Sequence, residues 1–165
     1  MKTLLLIRHA KSSWAYPELN DLERPLNKRG EKDAPLMAEV LKSKNIEPDI
    51  ILSSPALRAL TTAKIFAKVL NYDKGKIIIE KTIYDSNSKI ILDLICNLDN
   101  NIKTAIVFGH NPDLTYLATY LSSSVFDNVP TSGIVCIDFD VNNWKDIQKN
   151  PGKLRFFEFP KKYRK

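Results

Sequence analysis

The residues best suited to chemistry in this sequence are two arginines and the chain's two histidines. Arg8 and His9 follow an apolar run in TLLLIRHAKSSW, while Arg58 lies in SSPALRALTTA and His110 in VFGHNP. An arginine can hold a phosphoryl group through paired N–H donors, a geometry that lysine lacks. A neutral imidazole can attack phosphorus and form a phosphohistidine. Together these residue types indicate phosphoryl transfer.

Taken singly, each of these residues has a plainer interpretation. Arg8 and Arg58 could be solvated surface cations, and His110 could be a hydrogen-bonded structural histidine. The functional interpretation therefore depends on whether the fold brings the four residues to one place.

The spacing of apolar residues predicts an alternation of strands and helices. Strands are predicted over 3–7, 49–52, 76–79, 104–108, 134–139 and 154–159. Helix starts are predicted at Ser54-Pro55 and Asn111-Pro112, where a capping side chain precedes a proline. The last two strands, joined by a polar loop that contains Trp144, are expected to pair as an antiparallel hairpin near one edge. We predict an α/β fold: a three-layer α/β/α sandwich with a mostly parallel sheet.

In such a sheet, ligands bind beyond the carboxyl ends of the parallel strands. Arg8 and His9 end the first predicted strand, and His110 ends the fourth. Arg58 lies in the first turns of the helix after the second strand. The topology therefore predicts one site for all four residues, to which helix N-termini add backbone donors.

Length and composition predict one domain over residues 1–160, followed by a basic tail over residues 161–165. The chain has 165 residues, of which 44% are hydrophobic, enough for one core. No apolar stretch is long enough for a membrane span or a signal peptide, so a soluble, cytoplasmic protein is expected. Cys96 and Cys136 each lie in an apolar segment and are expected to be core thiols; a zinc site is not expected.

The charge raises the question of a polyanionic partner, because the net charge is +6 and the isoelectric point about 9.2. The lysines are spread along the chain, however, and no nucleic-acid-binding motif is present. We therefore predict neither a nucleic-acid nor a membrane partner.

Three segments resemble the sequence blocks of the histidine phosphatase superfamily, in its phosphoglycerate mutase-like branch: LLLIRHAKSSW, SSPALRALTTA and VFGHNP. The chain is most similar to the small phosphohistidine phosphatases of the SixA type, which share Arg-His-Ala where the mutases have Arg-His-Gly. The segments DLERPLNKRGEKDA and PTSGIVCIDF resemble further parts of the same group. The resemblance runs from Thr3 to about Pro160 and implies a phosphoglycerate mutase-like fold.

The resemblance also implies residue roles, with His9 as the nucleophile that becomes phosphorylated. It implies no metal and no cofactor. The implied phosphate pocket consists of Arg8, Arg58 and His110, with Lys11 and Ser12 as further substrate-binding residues.

A general acid is harder to assign. In larger relatives a carboxylate after the third strand protonates the leaving oxygen, and Glu80 and Asp85 lie in that region, within EKTIYDSNSK. Asp85 is equally compatible with a helix cap, the interpretation we favour. A phosphohistidine substrate would need an acid less, because its leaving imidazole has a pKa of only about 6.5.

These features favour a metal-independent phosphatase that acts on phosphohistidine in a partner protein, such as a histidine phosphotransfer domain. The longest segment that could cover the site, residues 11–26, is too short for a lid, and an open basic site suits phosphate displayed on a protein. Two alternatives stay open: a phosphatase of small phosphoesters such as sugar or nucleotide phosphates, and a non-catalytic phosphate-binding module. The intact set of arginines and histidines argues against the module.

Overall fold

The apolar runs form one mixed, six-stranded sheet in the computed structural model, which describes residues 1–164. The strands are β1 (Lys2–Arg8), β2 (Ile50–Ser53), β3 (Ile78–Ile79), β4 (Thr104–Gly109), β5 (Ile134–Phe139) and β6 (Lys153–Glu158). Their order across the sheet is β3-β2-β4-β1-β5-β6. The strands β1 to β4 pair with one another in parallel. The strand β5 is antiparallel to both of its neighbours, β1 and β6. The predicted mostly parallel sheet with a C-terminal antiparallel hairpin is confirmed.

Five α-helices connect the parallel strands or follow them. They are α1 (Lys28–Ser43), α2 (Leu57–Val69), α3 (Thr82–Asp85), α4 (Ser88–Cys96) and α5 (Asp113–Ser122). Short 3-10 helices cover Asp21–Glu23, Lys74–Lys76, Trp144–Gln148 and Pro160–Lys162. Within the described chain, every helix is too short or too polar to cross a membrane.

The side chains of the central strand β1 show why the molecule has three layers. Successive residues of a strand point to opposite faces of the sheet. Leu5 and Ile7 pack with Met37 and Phe66, which belong to α1 and α2. The residues between them pack on the other face with apolar side chains of α4 and α5. Because both faces of the sheet are covered, the predicted α/β/α sandwich is confirmed.

Both predicted helix starts were placed too early. The helix α2 begins at Leu57 rather than after Ser54, because the Ser54 N–H continues the sheet by donating to the Phe108 carbonyl at 3.1 Å. The helix α5 begins at Asp113, and the Asn111 side chain accepts from the Thr115 N–H at 3.2 Å. Sheet pairing and side-chain hydrogen bonds therefore extend both connections before the helices begin.

The connection between β5 and β6 is less polar than predicted. Trp144 is fully buried at the start of a 3-10 helix, and its indole N–H donates to the Ile102 carbonyl at 2.8 Å. A tryptophan can be buried at low cost when its single donor finds a partner. An isolated aromatic residue in a polar segment has no periodicity from which to predict this burial.

The two cysteines are free thiols. Cys136 is buried in the sheet, and burial raises its pKa to about 12, whereas Cys96 at the end of α4 is half-buried. The prediction of a core thiol is therefore confirmed for Cys136 and only partly met by Cys96.

The segment after Pro160 contacts the first helix through an ion pair. Asp33 of α1 is 2% exposed, and the Arg164 guanidinium binds both of its carboxylate oxygens, at 3.1 and 3.0 Å. Arg29, one turn earlier on α1, approaches the same carboxylate at 3.5 Å. The division into a domain of residues 1–160 and a basic tail stays a prediction, and Lys165 lies outside the described residues.

We predict that Arg164→Gln lowers the free energy of unfolding by about 1–3 kcal/mol, because it leaves a buried carboxylate short of a charged donor. Lys161→Gln, a change at a neighbouring exposed lysine, is the matched control and should stay within about 0.5 kcal/mol. Urea denaturation at neutral pH measures both values. Equal stability of the two variants would show that the Arg164 contact does not hold this segment.

Candidate active site

The register of the sheet brings three strand ends together. Strand β4 lies between β1 and β2, with Arg8 opposite Gly109 and Ser53 opposite Phe108. The ladder continues one residue further, since the His9 N–H donates to the Gly109 carbonyl at 3.1 Å. Backbone pairing therefore carries His9, Ser54 and His110 to the same edge, which the sequence pattern predicted for the two histidines.

A cavity of about 470 Å³ opens at this edge. It is lined by Arg8, His9, Lys11, Ser12, Trp14, Arg24, Arg58, Tyr84, His110, Asn111 and Thr131. All six residues predicted to bind or attack phosphate thus line one cavity. The two candidate general acids, Glu80 and Asp85, do not line it.

His9 is held in the form that a nucleophile requires. Its Nδ1 lies 2.7 Å from the Ala10 carbonyl oxygen, and because a carbonyl can only accept, Nδ1 carries the proton. The Nε2 atom therefore keeps its lone pair. Burial lowers the pKa of His9 to about 3, opposed by the hydrogen bond to Ala10 and reinforced by the charges of His110 and the arginines. His9 is consequently neutral at physiological pH.

His110 lies beside His9, with the two ring centroids 5.1 Å apart. Its Nε2 is hydrogen-bonded to the Ser54 hydroxyl at 2.8 Å, while its Nδ1 is buried without a partner among residues 1–164. Burial, followed by the charge of Arg58, lowers its pKa to about 4. This second neutral imidazole has one unused nitrogen, available for a phosphoryl oxygen as charge develops.

Arg58 is oriented by Asp21, a residue to which the sequence pattern assigned no role. The two terminal nitrogens of Arg58 donate to the Asp21 carbonyl at 2.7 Å and to its carboxylate at 2.9 Å. The same carboxylate accepts from Arg24 at 3.0 Å and from the Tyr84 hydroxyl at 2.8 Å. Burial alone would raise the pKa of Asp21, but these three donors outweigh it and hold the pKa at about 2. Asp21 therefore stays ionised and fixes two guanidiniums.

Arg24 adds a third guanidinium to the cavity. It is 9% exposed, donates to the Ser12 hydroxyl and to the Ser13 carbonyl, and stacks on Trp14 with its central carbon 3.4 Å from the ring centroid. Sequence reasoning missed this residue because a single charge in a polar loop has no periodicity. Its only signal was its position within the segment DLERPL.

Arg8 has an N–H donor that no described residue accepts. One terminal nitrogen donates to the Val129 carbonyl at 3.1 Å, whereas Nε is buried without a partner among the described residues. Burial lowers the pKa of Arg8 from its ordinary value, yet a guanidinium stays charged at any physiological pH. A bound anion would supply the missing acceptor.

The cavity as a whole is built for an anion. Three arginines and Lys11 supply positive charge, and among the described residues that line it none is Asp or Glu. No cluster of three or more His, Cys, Asp or Glu side chains suited to a metal ion occurs within residues 1–164. The arrangement can bind a phosphoryl group against the free Nε2 of His9 and stabilise the charge that develops on its oxygens.

The candidate general acids lie elsewhere. Asp85 is exposed at the end of α3 and lies 3.8 Å from Lys81, and Glu80 is half-buried just after β3. The interpretation of Asp85 as a helix cap is wrong, because the Asn87 side chain caps α4 by accepting from the Ile90 N–H. From this segment the side chain that lines the cavity is Tyr84, packed edge-on against His110.

The low pKa values predict an unusual NMR titration of the two histidines. In phosphate-free buffer, the ring C2–H resonances of His9 and His110 should titrate at pH about 3 and about 4. An ordinary histidine titrates at about 6.5. The spectrum of His110→Asn assigns the remaining resonance to His9. A ring that titrates close to pH 6.5 would contradict the burial and the neutral state described above.

The same pKa values predict how the free energy of unfolding changes with pH. As the pH falls below about 6.5, the unfolded chain takes up protons on both histidines while the folded chain does not. The free energy of unfolding should therefore fall between pH 6.5 and the folded values of about 4 and about 3.

Comparisons with known proteins agree with this geometry. Residues 4–85 match the model of the histidine phosphatase superfamily (branch 1). A protein of Arabidopsis thaliana described as uncharacterized and chloroplastic is 29% identical over 153 residues, covering 88% of this chain and 70% of that protein.

Solved structures match over nearly the whole chain. The crystal structure of a putative phosphohistidine phosphatase SixA from Agrobacterium tumefaciens is 27% identical, with a TM-score of 0.82 over 96% of this chain and 98% of that one. The structure of the protein histidine phosphatase SixA with tungstate shares the fold, with 22% identity and a TM-score of 0.84 over 98% and 99% of the two chains. The chain belongs to the histidine phosphatase superfamily and is a phosphatase with the fold of the SixA proteins.

Proposed function

We propose that the protein removes phosphate from phosphohistidine in a partner protein, through a phosphorylated His9 intermediate. The observation that carries the proposal is the state of His9: neutral, with Nδ1–H bound to the Ala10 carbonyl and Nε2 free in a cationic cavity. We include in the proposal the cytoplasmic location that the sequence predicts.

In the first step the Nε2 lone pair of His9 attacks phosphorus while the P–N bond of the substrate breaks. The substrate ring, protonated on its distal nitrogen, departs as neutral imidazole. His9 keeps its Nδ1 proton, so its phosphorylated ring carries the positive charge that the substrate ring has lost. The phosphoryl group moves between two like nitrogens, and no proton has to be transferred.

In the second step water attacks the phosphorus of phosphorylated His9. The P–Nε2 bond breaks, its electron pair returns to Nε2, and dihydrogen phosphate leaves and equilibrates its proton with solvent. The hydrogen bond from Nδ1 to the Ala10 carbonyl is formed in the free protein, and neither proposed step requires it to break. In this mechanism the phosphoryl oxygens are held by the guanidiniums of Arg8 and Arg58 and by Nδ1 of His110. The proposal is supported by the presence of all three residues in the cavity lining.

The lining of the cavity favours phosphohistidine over an ester. An alkoxide must receive a proton as it leaves, and a positioned acid typically contributes about 10²–10⁴-fold to such a reaction. No carboxylate occurs among the described lining residues, and Tyr84 donates its hydroxyl to Asp21. Imidazole, whose pKa is about 6.5, departs without that help.

The open edge of the cavity favours a phosphoryl group that is attached to a protein. The 11–26 segment supplies a wall rather than a cover, since Trp14 stacks on Arg24 and is 77% exposed. The match to a SixA phosphohistidine phosphatase supports the same substrate class. We infer that the partner protein is a histidine phosphotransfer domain.

A phosphatase of small phosphoesters remains the second candidate, since a cavity of about 470 Å³ is large enough for a sugar or nucleotide phosphate. The decisive comparison measures kcat/KM for a histidine-phosphorylated phosphotransfer domain and for a panel of sugar and nucleotide phosphates, with EDTA present. We expect the phosphoprotein to be preferred by at least about tenfold. A higher kcat/KM for any ester would put the second candidate first.

The positions of the two carboxylates yield a further prediction. Glu80→Gln and Asp85→Asn should each change kcat on phosphohistidine by less than about twofold, because neither side chain lines the cavity. Thermal unfolding of each variant controls for loss of structure. A loss of about 10²-fold or more in a folded variant would identify that carboxylate as a general acid, contrary to our mechanism.

A further inference from the structure

A second cavity lies beside the phosphate site, and the proposed reaction uses none of the residues that line it. It measures about 670 Å³ and is lined by α5 and the segment after it, through Asn111, Pro112, Thr115, Tyr116, Thr119, Tyr120, Phe126, Asp127 and Asn128. Asn111 lines both cavities. Its side-chain N–H₂ donates to Asn128 at 3.0 Å and to the Val129 carbonyl at 2.8 Å, which fixes the wall between them.

Two tyrosines dominate the outer face of α5. Tyr116 and Tyr120 are 65% and 54% exposed and, four residues apart, lie on one face of the helix. On their other side they line a third cavity of about 290 Å³, shared with α4. The pair, which we term the tyrosine ridge, therefore separates two grooves.

The helix α5 carries little charge compared with the rest of the protein. The helix α5 contains one charged residue, Asp113 at its start, in a chain in which 27% of residues are charged. The exposed face of α1, by contrast, carries the charges Lys28, Arg29, Glu31, Lys32, Glu39 and Lys42. Charged residues do line the two grooves, with Asp127 in one and Lys89 and Asp93 in the other. A helix face with little charge and exposed tyrosines, flanked by charged residues, is typical of protein interfaces rather than of solvated helices.

We propose that the tyrosine ridge and its two grooves form the docking surface for the phosphohistidine-bearing protein, and that a helix of that partner occupies it. The proposal rests on the proposed function. A ridge of side chains at i and i+4 with a groove on each side is the shape that packs against another helix. The groove next to the phosphate site is lined by the aromatic rings of Tyr116, Tyr120 and Phe126, so we expect the partner helix to present an apolar side chain to it.

The groove beside the ridge lies next to the phosphate site, where a bound partner can reach it. A helix with its side chains is about 10–12 Å across. A helix that presents a phosphohistidine to His9 therefore extends over the surface next to the cavity, and Asn111 makes the groove part of that surface. The cavity then selects the phosphoryl group, and the tyrosine ridge selects the protein that carries it.

The test compares two substrates in a double variant, Tyr116→Ala with Tyr120→Ala. For a histidine-phosphorylated phosphotransfer domain we expect KM to rise at least about tenfold and kcat to change by less than about twofold. For phosphoimidazole, which is too small to reach the ridge, kcat/KM should change by less than about twofold. The double change to Phe keeps the ring area and should restore KM. Ile78→Ala, at a residue 42% exposed on β3, is the matched control and should leave both substrates unaffected.

Each other outcome overturns the docking proposal. An unchanged KM for the phosphoprotein shows that the ridge does not dock the partner, and equal losses on both substrates show that the tyrosines support the catalytic cavity. A loss confined to small esters with apolar groups assigns the groove to a small substrate. Wild-type protein that hydrolyses neither phosphoimidazole nor the phosphoprotein contradicts the proposed function itself, and the docking proposal with it.

Discussion

In the mechanism that we propose, the chemistry depends on the hydrogen bond from the His9 Nδ1–H to the Ala10 carbonyl. It determines which ring nitrogen carries the proton, and so leaves the lone pair on Nε2. Burial maintains that state, because the imidazole would have to gain a charge in a cavity that already holds several. In the proposed mechanism the Nδ1 proton is neither lost nor gained in either step, so the same bond can be kept when the ring carries a phosphoryl group.

The sheet positions the two histidines, and the 11–26 segment orients the arginines around them. The register of β1, β2 and β4 fixes the backbone positions of both histidines with a precision that loops alone would not give. Asp21 lies outside the cavity lining, and by binding Arg58, Arg24 and Tyr84 it orients cations without neutralising the site from within. A carboxylate inside the cavity would repel the phosphoryl group, so its position behind the arginines serves both structure and binding.

The parts of the site that could be predicted from the sequence are those fixed by strand periodicity. Arg8, His9 and His110 follow directly from apolar runs, and parallel topology brings such ends together. The contributions of Asp21 and Arg24 could not be predicted, because they depend on how an irregular segment folds back over α2. Tyr84 could not be predicted either, because it lies on α3, a helix of only four residues that shows no periodicity. The helix starts were misplaced for a similar reason, since Ser54 pairs across the sheet before α2 begins. The burial of Trp144 in the core could not be predicted either, because a single aromatic residue in a polar segment shows no periodicity.

The most direct test of the account is to find the phosphoryl group on His9. Protein mixed with a histidine-phosphorylated phosphotransfer domain and quenched in alkali during turnover should carry an acid-labile, alkali-stable phosphate. Mass spectrometry should map it to His9, and ³¹P–¹⁵N coupling should place it on Nε2. Phosphate on His110, or on His9 Nδ1, would contradict the account, as would turnover of the His9→Ala variant at a rate near that of the wild type.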